Sequence, residues 1–181
     1  EAYEYLGSLE PIPHTAIIYY KYGIEIGKQI YAKTHFREGI GNFWMIHETR
    51  PFMRCMQAYG DCLVNMGRFQ EAVSVYEEMI RLNPNDNQGV RDQLLLYLIR
   101  NNDFNKFRKY DKLYKDDPGA FASFNRALFA FKTQGSSTIS NELLKKAVES
   151  NKYVIPGLLK KSIPDELVQY FTESISYDYQ L

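Results

Sequence analysis

Cysteine, histidine, tryptophan and net charge are what this 181-residue chain has least of. Lys and Arg number 22 against 22 Asp and Glu. The bulk attraction of a general nucleic-acid-coating protein is therefore missing, and only local patches are left to bind polyanions. No run approaches the roughly 18 to 20 uninterrupted apolar residues of a membrane-crossing helix, so no membrane span is expected. The two cysteines, Cys55 and Cys62, fall in a segment read as helix. At about 1.5 Å per residue their backbones stand about 10 Å apart, too far for a disulfide between them. Two small thiols without Cys-x-x-Cys spacing fit a reducing, cytoplasmic setting and a structural role. His14, His35 and His47 have no partner at metal-ligand spacing. The phosphate-cradling loop, the dinucleotide fingerprint and the nucleophile elbow are all missing. No catalytic residue, metal site or cofactor is assigned, and the chain is read as non-enzymatic. An initiator Met is absent too, and the opening Glu1-Ala2-Tyr3 reads as a piece of a longer protein.

Apolar residues instead recur in phase. Met56, Val90 and Phe124 are separated by two steps of 34 residues, and so are Leu63, Tyr97 and Phe131, then Tyr76, Tyr110 and Leu144. A fixed period of this length is the mark of a repeat array whose units bury their apolar faces on each other. In the best copy, small Gly60 and Ala72 would let paired helices approach. Gly67 would open the turn between them, and Pro84 would stop the second helix. Tyr59-Gly60, Leu63, Gly67, Phe69, Ala72, Tyr76 and Pro84 together resemble the tetratricopeptide repeat. That resemblance implies an all-α solenoid of antiparallel helix pairs, a right-handed superhelix of about three units at 53–86, 87–120 and 121–154. The run Glu48-Thr49-Arg50-Pro51-Phe52-Met53-Arg54 with Leu82-Asn83-Pro84-Asn85-Asp86-Asn87-Gln88-Gly89 is similar to a subgroup of such proteins and implies a shared scaffold.

The flanks are read as additions to that array within one compact domain. Residues 1–52 would supply packing helices: an irregular lead-in bracketed by Pro11 and Pro13, then a helix over Thr15–Tyr31. Alternation in Tyr22–Ile26 would also suit a strand. Gly23 and Gly27 are spaced for close helix contact, and a second short helix is expected over Glu38–His47. Thr49 is the expected cap of the next helix, with Pro51 in its permissive first turn. Residues 155–181 would add a capping helix over Glu166–Ile175 and an acidic tail.

By the same resemblance, a ligand would lie in the concave groove lined by the first helix of each unit. The candidate groove residues are Arg54, Gln57, Asp61 and Asn65 in the first unit, Gln88, Arg91 and Leu95 in the second, and Asn125, Arg126 and Phe129 in the third. Amide and guanidinium groups suit peptide backbone and carboxylates, while Leu95 and Phe129 would accept apolar side chains. Leu95 suits equally well a place in the packing between repeats. At the positions where chaperone-tail receptors carry a Lys/Asn clamp, this chain has Gln57, Asp61, Asp92, Ala122 and Arg126. Only Arg126 keeps that chemistry, so an acidic chaperone tail is not the expected ligand.

Charge is uneven along the chain, with seven basic and two acidic residues over 121–161, then none and four over 162–181. The segment Phe104–Lys115 interleaves aromatics with lysines. That is either a polyanion-binding surface or a core-facing aromatic stripe beneath a solvated charged face. The expected function is protein–protein interaction, an adaptor holding a peptide or protein segment in the groove. Nucleic-acid binding by the basic second half is the alternative, and a site around His35, His47, Glu48 and Arg50 is a more distant third. Terminal helices offer a route to a homodimer.

Overall fold

Helices account for all the regular secondary structure among the described residues. The computed structural model describes residues 1–32 and 35–159, so the helix and tail expected beyond residue 160 lie outside the described residues. The chain divides into two compact units, Glu1–Asp116 and Asp117–Leu181. The first holds α1 (Ala2–Leu9), α2 (Pro13–Tyr31), α3 (His35–Glu38), α4 (Arg50–Asn65), α5 (Phe69–Leu82), α6 (Val90–Arg100) and α7 (Phe104–Leu113). The second holds α8 (Ala120–Gln134), α9 (Thr138–Ser150) and α10 (Val154–Leu159).

In the first unit the irregular entry expected at Pro11 and Pro13 is the short break at residues 10–12, and ahead of it lies a helix, α1, that the residue pattern did not announce. α1 packs against α2 and touches α4, while α2 packs along α4. This hairpin is held by small residues. A Cβ on Gly23 would stand 2.7 Å from Cys55 Sγ, and one on Gly27 would stand 2.5 Å from the Phe52 ring, so the α2 and α4 backbones meet where side chains are missing. Ala16, Tyr20, Cys55 and Cys62 form the buried seam. Tyr22–Ile26 is therefore helix, with Tyr22 and Ile26 exposed, Ile24 packed against the seam and Gly23 facing α4.

The short helix expected over Glu38–His47 is not formed. Helix stops at Glu38, and the chain then turns through Gly39 and Gly41, the latter at φ +95°. The cause lies at the end of α5. Its last carbonyl, on Leu82, accepts from the backbone N–H groups of Gly41 (3.0 Å) and Phe43 (3.1 Å), which takes up one of the orphan acceptors of a helix terminus. Phe43 is fully buried between the rings of Phe36 and Phe52. Thr49 does stand at the N-cap of α4 with Pro51 in its first turn. Its hydroxyl, however, turns away from the helix and donates to the carbonyls of Phe43 and Ile46. It pins the loop rather than capping the helix.

The α4–α5 hairpin forms as the residue pattern predicts. Ala72 and Leu63 are buried, Gly67 turns the chain at φ +74°, and a Cβ on Gly60 would stand 2.6 Å from the Tyr76 ring. The next hairpin repeats this one at a step of 35, not 34. In the first turn Met66, Gly67 and Arg68 donate to Cys62, Val64 and Leu63. In the second, Asn101, Asn102 and Asp103 donate to Tyr97, Ile99 and Leu98. Leu63 thus corresponds to Leu98, fully buried like it, and not to Tyr97. Tyr97 stacks instead on Phe69 of the preceding repeat at 5.2 Å, with the Arg100 guanidinium 3.9 Å from the same Phe69 ring. Asn102 takes the positive φ of +59° that Gly67 takes before it, as Asn tolerates.

In the second unit α8 and α9 form a hairpin of their own. Gly135, at φ +67°, ends α8, and Ser137 opens α9 through a reciprocal capping box with Ser140. Its buried apolar positions are small, Ala122, Ala127, Ala130 and Ala147, and Asn125 and Ser140 are buried with them.

Candidate interaction face

α4 presents one polar row, Arg54, Gln57, Asp61 and Asn65, at steps of three and four residues. Each of the first three is half-buried and held by a neighbouring element. Arg54 forms a two-pronged ion pair with Glu4 of α1, its second prong at 2.9 Å. Gln57 and Gln88 join side-chain amides at 2.7 Å, and Gln88 also donates to the Met53 carbonyl at 3.3 Å. The Gln88 side-chain oxygen is buried without a hydrogen-bond partner in the structure. Asp61 meets the Tyr76 phenol at 2.7 Å, and the same phenol lies 2.7 Å from the side-chain amide of Gln93. A phenol has one proton to give. With Asp61 ionised it goes to the carboxylate, and Gln93 turns its nitrogen to the phenol oxygen. Burial raises the Asp61 carboxyl above its ordinary value, against the Tyr76 hydrogen bond that lowers it. Burial also drives the Tyr76 phenol well up. Asn65, at the end of the row, is exposed.

The second-unit candidates divide. Arg91 pairs with Asp86 at 3.1 Å, and its guanidinium lies 5.4 Å from the centre of the Tyr114 ring. Asp86 is itself buried at φ +48° and accepts from the backbone N–H groups of Val90 (2.9 Å) and Arg91 (3.0 Å). Arg91 is therefore part of the structure that starts α6, where a carboxylate at a helix N-terminus is favoured. Leu95 is 2% exposed and has no surface to offer a ligand. The reason is the step of 35, which rotates α6 by about 100° relative to the 34-residue alignment and turns Leu96 and Arg100 outward in place of Leu95 and Ile99. Leu96 is half-buried and Arg100 exposed.

In the second compact unit Asn125 is 5% exposed, Arg126 donates to the Asp117 carbonyl at 3.2 Å, and Phe129 is half-buried. On α7 the aromatics Phe107 and Tyr110 face inward, Lys106 is bound to Glu77 at 2.7 Å, and Arg108, Lys109 and Lys112 are exposed. The aromatics thus pack while the cations are solvated, which leaves no stack of exposed rings there to hold bases.

The histidine group is held by separate contacts. His35 packs its ring against Tyr31, His47 is exposed, and Arg50 donates to the Trp44 carbonyl at 2.9 Å. Both cysteines are free and buried, and burial pushes the Cys55 thiol up to about 11, away from nucleophilic use. Among the described residues no group of three or more His, Cys, Asp or Glu could hold a metal ion, and no helix is long and apolar enough to cross a membrane.

Sequence reasoning missed Glu4, Tyr76 and Gln93 as members of the row. Glu4 lies in α1, a helix ahead of the Pro11–Pro13 break for which no element was expected. The other two act through hydrogen bonds across three helices, which no one-dimensional spacing reveals.

Residues 54–86 match the family model for the tetratricopeptide repeat. This segment is similar to a tetratricopeptide repeat. It spans α4 and α5, the hairpin in which Gly60, Gly67 and Ala72 do what the pattern asks of them. No curated protein and no solved structure matches the chain. A tetratricopeptide repeat points to protein–protein interaction in general terms, and to nothing narrower.

Proposed function

We propose that the chain is a non-catalytic interaction module that holds an extended segment of another protein along the face shared by α1, α4 and the start of α6. The observation that carries this reading is the α4 row. Arg54, Gln57, Asp61 and Asn65 are polar and aligned, and the first three are fixed in place by Glu4, Gln88 and Tyr76. An extended peptide offers a backbone donor and a backbone acceptor at each residue, and side-chain amides match both. Held rotamers lower the entropy lost on binding.

The same bonds narrow the partner. Arg54 is committed to Glu4 and Arg91 to Asp86, so a carboxylate arriving at this face would have to break an ion pair to find a guanidinium. Asp61 is an acceptor at this face, while the Gln88 oxygen is buried beneath it. The segment favoured is rich in donors: backbone N–H, hydroxyl, or Lys and Arg.

The test is capture of partners by the intact chain and by a Gln57→Arg, Asn65→Arg variant, at low and high salt. A protein held at both salts and weakened at least about tenfold by the variant supports the reading. Retention indifferent to the variant overturns it. Nucleic acid that elutes with salt would move the function to the exposed cations of α7.

A further inference from the structure

α2 has a second face, turned away from its Gly23–Gly27 contact with α4, that the described elements leave largely open and that the Tyr3 ring of α1 borders, 6.1 Å from the Tyr22 ring. Ile18, Tyr22, Ile26 and Ile30 follow one another at four-residue steps, and Ile18, Tyr22 and Ile30 are 50, 52 and 64% exposed. Side chains at that step form a continuous ridge on a helix surface. The ridge is flanked by shallow depressions that meet at Ile18 and Tyr22. One is lined by Tyr3, Thr15 and Tyr19 on the α1 side. The other is lined by Lys21, Glu25, Tyr59 and Arg68 on the α4 side. Ridge and groove thus lie side by side on one patch. A two-fold interface demands this, because the same surface must supply both the knob and the hole. Two four-residue ridges interdigitate in the commonest class of helix crossing.

Charge points the same way. Lys21 and Glu25 are exposed on the same flank of the ridge, and neither forms an ion pair among the described residues. When two helices pair antiparallel, like flanks face each other. A crossing centred near Tyr22 sets Lys21 of each copy beside Glu25 of the other. A parallel pairing would set that flank against Tyr19 and Thr15 and leave both charges unmatched. We propose that this face of α2 is the contact of a two-fold homodimer in which a second copy of the chain packs its α2 antiparallel, ridge into groove, with two reciprocal Lys21–Glu25 pairs. The contact is independent of the polar row on α4, so both surfaces are usable together, and each chain of the pair would present one binding face.

Sedimentation velocity of the full chain over a dilution series centred on the micromolar range tests this. The intact chain is expected to shift from monomer to dimer. Tyr22→Glu should abolish the dimer while the monomer keeps its far-UV helicity, since the side chain is half exposed beside the Tyr3 ring. Lys21→Glu should weaken dimerisation by about tenfold, and Lys21→Glu with Glu25→Lys should restore it. A chain that stays monomeric at every concentration gives the face to some other occupant and overturns the proposal. So does a dimer indifferent to Tyr22→Glu. A dimer lost in Lys21→Glu and not restored by the exchange overturns the antiparallel pairing.

Discussion

Gly60 and Tyr76 are packed as one piece. The Tyr76 ring is fully buried and its phenol is tied to Asp61 and Gln93, so the ring cannot swing aside for a Cβ that would stand 2.6 Å from it. Gly60→Ala would gain about 1 kcal/mol of helix propensity and lose about 1–3 kcal/mol to overpacking. The expected outcome is a net loss, read as a lower urea midpoint, and a rise would show that the hairpin can spread. Asp61 gives a pH signature. Burial raises its carboxyl in the folded state, so the folded chain binds that proton more tightly than the unfolded chain does. Its contribution is most favourable below the ordinary carboxylate range and declines as pH rises from that range through the raised folded value. Asp61→Asn should therefore melt above the parent at neutral pH, with the difference closing as pH falls through that window. A difference constant with pH would contradict the assignment. Gly60 and Tyr76 were legible in the sequence because each is a residue type at a fixed place in a repeat. The Gln93 partner was not, because the contact depends on how α6 is turned.

At the scale of elements the helix pairs were legible from period and turn residues, and their register was not. The extra residue before Asn102 leaves Asn102 35 positions after Gly67 and 33 before Gly135, so the overall period survives while α6 rotates within it. Burial of Leu95 and Ile99 follows from that rotation. Likewise Pro11 and Pro13 marked the break at residues 10–12 but not the helix α1 ahead of it. A proline pair marks a break but says nothing about what precedes it, and here Pro13 sits in the first turn of α2. Glu38–His47 has enough apolar residues for a helix, but the N–H groups of Gly41 and Phe43 are drawn to the buried C-terminal carbonyl of α5 on Leu82. The join between the α4–α5 hairpin and α6 rests on Asp86, whose carboxylate holds two backbone N–H groups and Arg91. Asp86→Ala should cost about 2 kcal/mol in equilibrium urea unfolding. Asp86→Asn, which keeps a side-chain acceptor and tolerates the positive φ, should cost less. Equal losses would mean that the side-chain bonds contribute little and the backbone turn dominates.

At the scale of the molecule, what the sequence shows least is how the first unit is closed at its N-terminal end. A repeat hairpin cannot bury both its faces alone, and the face of α4 turned away from α6 is covered by α1 and α2 through Gly23, Gly27 and the Tyr20 seam. Both cysteines lie under that cover, which makes them reporters of it. In the intact chain they should react with a water-soluble disulfide reagent only as fast as the fold opens, since burial blocks access and pushes Cys55 up to about 11, leaving little thiolate near neutral pH. A chain starting at residue 33 lacks the cover. Cys55 and Cys62 would then stand on an open helix face, the Glu4 partner of Arg54 would be gone, and both thiols should titrate in the first fast phase. Far-UV circular dichroism on the same samples separates uncovering from unfolding: fast thiols with α4 to α7 still helical mean that α1 and α2 act as a lid on an array that folds without them. Fast thiols with helicity lost mean that the hairpin is part of the folding unit. Slow thiols in the shortened chain would contradict the seam itself.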